Sequence, residues 1–174
     1  MENLRLETDR LIITVFDESM IERVHKNSLD EDIRRFVPDE VFETMEDARK
    51  TVTYLMNCYK EITGPFVYPV LTRNNENIGY VQAMPAEEGW EIGYHIAKEH
   101  TGNGYASEAV KTFLPIIMKR LNIEKISGLC ALENVASCMV LEKCGFVLEY
   151  KGTGDYQGSA REICRYSYHS SNLP

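Results

Sequence analysis

Thr101-Gly102-Asn103-Gly104-Tyr105-Ala106-Ser107-Glu108-Ala109 sets two glycines between a strand-like stretch, Trp90 to Ala97, and a helix-like one, Ser107 to Leu121. A strand that feeds a glycine loop opening a helix leaves unpaired backbone N–H groups at the positive end of the helix dipole. Such a terminus is a seat for an anion, above all a phosphate or pyrophosphate. Glycine lets the main chain take the required dihedrals and lets a ligand come close. An ordinary helix start after a turn can carry the same two glycines, so the reading needs the rest of the chain.

Working outward, Leu11 to Phe16 is rich in β-branched residues and reads as a first strand. Asp17 to Leu29 reads as a helix with Asp17 or Ser19 at its N-cap, and Glu31 to Val37 as a short helix or a loop before Pro38. Thr44 with Asp47 forms a capping-box pattern that opens a helix running to about Thr63, stopped by Gly64-Pro65. Phe66 to Thr72 and Ile78 to Met84 are strands around the polar loop Arg73 to Asn77, and Trp90 to Ala97 follows a turn at Pro85 to Gly89.

After the glycine loop, Pro115 is expected to kink or split the helix Ser107 to Leu121. Ile126 to Leu132 is a strand, Asn134 to Lys143 a helix, and Gly145 its left-handed terminator. Phe146 to Tyr150 and Ile163 to His169 then pair around a hairpin containing Gly152, Gly154 and Gly158. The expected fold is α/β (α+β): a mixed, mostly antiparallel twisted sheet of about six to seven strands flanked by about four helices. Residues 1–174 are expected to form a single domain, since no linker, repeat or low-complexity segment interrupts them.

The bulk chemistry narrows the partners. A net charge of −8 without a Lys/Arg cluster argues against nucleic acid and favours a cationic partner such as an amine. No stretch approaches the roughly 20 apolar residues of a membrane span. The charged segment Met1 to Arg10 lacks a hydrophobic signal region, so a cytoplasmic location is expected. Five cysteines at positions 58, 130, 138, 144 and 164 form no Cys-x-x-Cys pair and no zinc spacing; they read as reduced thiols, and no metal site is expected.

Several short motifs along the chain carry a resemblance. They are Leu6 to Leu11, Ile78-Gly79-Tyr80, Glu91 to Tyr94, Thr101 to Ala109, Asn134 with Ser137, and Glu142 to Phe146. In this order and spacing the chain resembles the GNAT superfamily of N-acetyltransferases, and within it the branch that acetylates the N-termini of ribosomal proteins. The resemblance implies the GNAT fold, acetyl-CoA (coenzyme A) as acyl donor, and direct transfer of acetyl to a small-molecule or peptide amine. It leaves a monomer or a homodimer open. The family's loop pattern, Gln/Arg-x-x-Gly-x-Gly/Ala, falls on Thr101, Gly104 and Ala106, with Thr101 as the departure.

From the same resemblance, the amides of Gly102, Asn103, Gly104, Tyr105, Ala106 and Ser107 are expected to hold the pyrophosphate. The main chain of His95, Ile96 and Ala97 would run beside the pantetheine, and the Asn134 side chain would contact the cofactor. A backbone N–H near Tyr94 to Ile96 would polarise the acetyl carbonyl.

Acyl transfer from a thioester needs a neutral amine, donors for the oxyanion and a proton for the leaving thiolate. An amine with a pKa of about 10.4 is mostly protonated at neutral pH, at a loss of roughly three to four decades in reactive form. Glu91, which shares a strand face with Gly93 and His95, is the expected base, with His95 as a second candidate. Many relatives protonate the thiolate with a tyrosine where this chain has Leu141. Ser137, one helical turn earlier, is then the expected donor to sulfur, with Tyr94 and Tyr105 in reserve. The same residues in a catalytically silent acyl-CoA-binding module are the alternative from another class. A nucleotide-binding loop is disfavoured, because neither Gly-Lys-Ser/Thr nor Gly-x-Gly-x-x-Gly is present.

Overall fold

The computed structural model describes residues 3–61 and 63–172. Among these, eight strands form one sheet in the order β1-β2-β3-β4-β5-β6-β8-β7. They are β1 (Leu6–Glu7), β2 (Leu11–Ile13), β3 (Phe66–Thr72), β4 (Asn77–Ala86), β5 (Gly89–Ile96), β6 (Lys125–Ala131), β7 (Val147–Tyr156) and β8 (Ser159–His169). Every neighbouring pair is antiparallel except β5 and β6. Five α-helices accompany them: α1 (Ile21–Ser28), α2 (Glu31–Phe36), α3 (Met45–Cys58), α4 (Tyr105–Leu121) and α5 (Val135–Lys143). The mixed, mostly antiparallel α/β architecture is the expected one, with a strand and a helix more than the upper counts expected. The additions are the two-residue β1, too short for any periodicity, and α2, capped by the Asp30 carboxylate on the Asp32 N–H at 3.0 Å.

The Thr44–Asp47 capping box forms in both directions and starts α3. That helix ends at Cys58, five residues before the expected Thr63; Ile62, within the expected span, lies outside the described residues. α4 is not split at Pro115. Phe113 and Leu114 before the proline and Ile117 and Met118 after it are all buried in the same core, and this packing on both sides offsets the lost hydrogen bond. At the C-terminal end, the glycine-rich loop is shorter than expected: Gly152 and Gly154 belong to β7, and the turn is Gln157-Gly158. At Gly154 a Cβ would lie 2.4 Å from Ile163 Cδ1 on β8, so this glycine makes room for the Ile163 side chain within the strand pair.

Residues directly opposite on antiparallel strands share a face. Tyr68, Val81 and Tyr94 stand in one row across β3, β4 and β5, and Tyr68 packs against Phe113 of α4 at 5.5 Å between ring centroids. Val67, Gln82 and Gly93 form the next row on the opposite face, with His95, Tyr80, Glu91 and Met84 beside them. That face looks toward α1, α3 and the turn Pro38–Glu40.

Candidate active site

β5 leads into the glycine loop through a 3₁₀ turn at Lys98–His100. Gly102 and Gly104 have φ of 80° and 78°, the left-handed region that favours glycine. A Cβ at Gly102 would meet no atom within 4 Å, so the loop's outer surface is open to a ligand. The loop's own side chains are turned inward on it. The Thr101 hydroxyl donates to Lys98 O at 2.9 Å, and Asn103 Nδ2 donates to His100 O and Thr101 O at 3.1 and 3.2 Å. No side chain caps α4, and Glu108 N–H makes the first helical bond, to Gly104 O. The N–H groups of Tyr105, Ala106 and Ser107 therefore have no intrahelical acceptor.

The loop is braced from a distant part of the chain. Arg10 Nη1 donates to Asn103 O at 3.0 Å, its Nε to Glu108 at 2.8 Å, and its guanidinium lies 4.8 Å from the Tyr105 ring centroid. Thr8 also donates to Glu108. Sequence reading marks Leu6 to Leu11 as a motif without saying what it holds.

Among the described residues β5 and β6 share one ladder position, Glu91 opposite Ser127, where Ser127 Oγ also donates to Trp90 O at 3.1 Å. Beyond it the strands part around a cavity of about 290 Å³ lined by β5 residues Glu91 to His95, Leu129 of β6, and Asn134, Ser137 and Leu141. Ala97 N–H is bound to Ile78 O at 2.8 Å, and Ala97 O takes the His100 N–H at 2.8 Å. Peptide groups alternate in direction along a strand, so His95 also faces β4, while Tyr94 and Ile96 present their peptide groups to the gap. Of the three residues whose main chain is expected beside the pantetheine, only Ile96 turns its peptide groups to the gap, as Tyr94 does.

Opposite sides of this gap carry different chemistry. On the α5 side, Tyr94 Oη donates to Ser137 O at 2.8 Å and lies 3.0 Å from Ser137 Oγ. Asn134 caps α5 through Oδ1, which accepts the Ser137 N–H at 3.2 Å, and the residue lines the cavity. Leu141 is buried against Gly128. Burial pushes the Tyr94 phenol well above its ordinary range, so it stays protonated.

On the other face, burial raises the Glu91 carboxyl to about 7, with Arg165 pulling against it. His95 is held below its ordinary value by burial, and its Nε2 is buried without a hydrogen-bond partner among the described residues. Glu40 accepts from Tyr80 Oη, and from Gln82 Nε2 at 3.3 Å. Burial raises the Glu40 carboxyl. Glu40 and Gln82 escape the sequence reading, and Tyr80 enters it only within the motif Ile78-Gly79-Tyr80: Pro38-Asp39-Glu40 has the composition of any acidic surface turn, and its partners are some 40 residues away.

Cys130 and Cys138 lie with their sulfurs 3.1 Å apart, and burial raises the thiols of Cys130 and Cys144, the latter to about 11. Cys130 and Cys144 are protonated core thiols rather than nucleophiles. Among the described residues, Glu76, Glu99 and His100 bring ligand-type atoms within 4.8 Å of one another. The Arg23 guanidinium already bonds both carboxylates there. No helix of the described chain is long and apolar enough to cross a membrane.

The description acetyltransferase (GNAT) domain belongs to the family model that matches residues 10–147. A Bacillus subtilis (strain 168) relative named Uncharacterized N-acetyltransferase YnaD is 29% identical over 145 residues, 82% of each chain. The fold is similar to that of a GNAT-family acetyltransferase from Bacillus anthracis, with a TM-score of 0.83, 25% identity, and 97% of this chain and 100% of that one covered. It is also similar to RimL, a ribosomal L7/L12 α-N-protein acetyltransferase solved in complex with coenzyme A, with a TM-score of 0.79, 20% identity, and 95% and 98% covered. A glycine loop at an uncapped helix, beside strands that part after one ladder position, is thus the local form of a matched family architecture: the chain belongs to the GNAT family and is an N-acetyltransferase.

Proposed function

We propose that the protein transfers the acetyl group of acetyl-CoA directly to a primary amine, within one domain spanning residues 1–174. The observation that carries the reading is the opening of β5 from β6 after Glu91 and Ser127, on the strand whose chain runs on through Lys98–His100 to the bare N-terminus of α4. The pyrophosphate would sit on the amides from Gly102 to Ser107, and the pantetheine would run along Ile96 and Tyr94 into the gap. The coenzyme A complex of RimL, a fold neighbour, supports this use of the architecture.

In the reaction the amine nitrogen attacks the thioester carbonyl. An N–C bond forms, the C–S bond breaks, and the amine proton passes to Glu91, directly or through water. The outward peptide N–H of Tyr94 or Ile96 stabilises the oxyanion. The departing thiolate takes a proton through the Tyr94–Ser137 pair across the gap.

A carboxyl titrating near 7 is poised to be both charged and basic at neutral pH. Measuring thiol release from acetyl-CoA across a panel of amines tests the reading. Release that depends on an amine supports it, whereas coenzyme A binding with no amine-stimulated release from any of them supports a silent binding module. A solvent location such as the cytoplasm belongs to the same proposal.

A further inference from the structure

A second cavity of about 250 Å³ lies on the acceptor-side face of the sheet, between α1, α3, the turn Pro38–Glu40 and strands β3 and β4. Its walls are apolar, formed by Phe16, Phe42, Leu55, Val67 and Met84 among others. Phe42 is fixed there because its N–H donates to Ser28 Oγ at 3.1 Å. The exposed residues Asp39 and Tyr54 mark where the cavity meets solvent.

At its inner end the lining changes character. Glu40, Tyr80 and His95 line this cavity and also the gap between β5 and β6. The two spaces therefore share a wall made of a carboxylate, a phenol and an imidazole. The Glu40 oxygens accept from Tyr80 and Gln82, which fixes the carboxylate at that wall. The buried Nε2 of His95 has no hydrogen-bond partner among the described residues.

We infer that the acceptor is a primary amine on an apolar body of about one aromatic ring, seated in this cavity with its ammonium against Glu40 and its nitrogen facing the gap. The inference rests on the acetyl-transfer reading and names the substrate class of that same site. A cavity of about 150 Å³ holds a benzene, so 250 Å³ has room for a ring and a short tether. A polyamine would lay a second ammonium along walls that are mainly apolar, which is unfavourable unless it reaches Asp39 at the mouth. The ammonium is met by a carboxylate inside and by a net charge of −8 outside. Free arylalkylamines and the N-terminal residue of a peptide can both present this chemistry.

The test is kcat/KM for thiol release from acetyl-CoA with phenethylamine, ethanolamine, spermidine, and tetrapeptides beginning with Phe or Ser. Phenethylamine, the Phe peptide or both should exceed ethanolamine and spermidine at least tenfold, as about fourfold per buried methylene predicts. Which of the two leads identifies the source. Thr51→Phe, which fills the cavity from α3, should bring the apolar-to-polar ratio close to one. Glu40→Gln should raise KM for the amine at least tenfold, with the dissociation constant of coenzyme A as the check on folding.

Turnover of ethanolamine or spermidine equal to that of phenethylamine and the Phe peptide would overturn the inference and leave acetyl transfer standing. So would a ratio unchanged in Thr51→Phe. If no amine at all stimulates release, the acetyl-transfer reading fails and this one with it.

Discussion

Tyr94 on β5 and Ser137 on α5 are tied across the strand gap by two contacts, Tyr94 Oη to Ser137 O at 2.8 Å and to Ser137 Oγ at 3.0 Å. The pair joins a strand to the first turn of the helix capped by Asn134. If the pair carries the proton to sulfur, Tyr94→Phe and Ser137→Ala should each lower kcat about tenfold, with coenzyme A affinity within twofold of the parent. The size follows from losing one hydrogen bond to a charged sulfur, roughly 1.5 kcal/mol. Steady-state kinetics combined with calorimetric coenzyme A binding measures both; an unchanged kcat in both variants would remove the pair from the mechanism.

The Glu91 carboxyl at about 7 gives the rate a pH dependence. Only the charged form accepts a proton, so kcat/KM should rise about two decades per pH unit below 7, where carboxylate and free amine both increase, and about one decade above it, where only the free amine does. Glu91→Gln should abolish the inflection near 7 and lower kcat/KM about a hundredfold at pH 7.5. A profile from pH 5.5 to 9 with both proteins checks this.

The same group ties stability to pH. In the folded chain Glu91 titrates near 7, above the ordinary 4.5 that the unfolded chain shows. The folded state therefore binds the proton more tightly, and the stability this confers is present in full below about pH 4.5 and lost as pH rises to 7. Glu91→Gln has no such loss. Its unfolding free energy relative to the parent should grow from pH 4.5 to 7 by up to about 3 kcal/mol and stay level above. Urea melts at pH 5 and 8 should show the crossover.

Arg10 braces the glycine loop from the other end of the chain. Its side chain is about half exposed, at 48%, so the ion pair to Glu108 contributes little to global stability, under about 1 kcal/mol. Arg10→Ala should lower the melting temperature by less than about 3 °C. Loosening the carbonyl of Asn103 should nonetheless weaken coenzyme A binding about three- to tenfold, since the loop must then be ordered by the ligand. Differential scanning fluorimetry and calorimetric binding separate the two effects.

How far the sequence reveals this arrangement follows the range of the interactions involved. The glycine loop, the Thr44–Asp47 capping box, the Asn134 cap and the Gly145 stop depend on residues within one or two turns of each other, and each stands where the local pattern puts it. The face shared by Glu91, Gly93 and His95 follows from strand alternation alone. What local pattern does not carry is set by distant partners. Pro115 stays helical because the core holds both sides of it, Gly154 is a strand residue because Ile163 presses on it, and Arg10 meets its loop across more than 90 residues. Glu40 belongs to the same class: its buried position depends on Tyr80 and Gln82. The Ala97 N–H, spent on Ile78, shows the same limit for main-chain contacts.

The most direct measurement is thiol release from acetyl-CoA followed continuously as phenethylamine is added, with mass spectrometry of the products. The account predicts saturable, amine-dependent release with one acetylated amine formed per thiol, rising through pH 7 and depressed about a hundredfold in Glu91→Gln. Coenzyme A bound in the gap with no release above background, for this or any other primary amine, would contradict it.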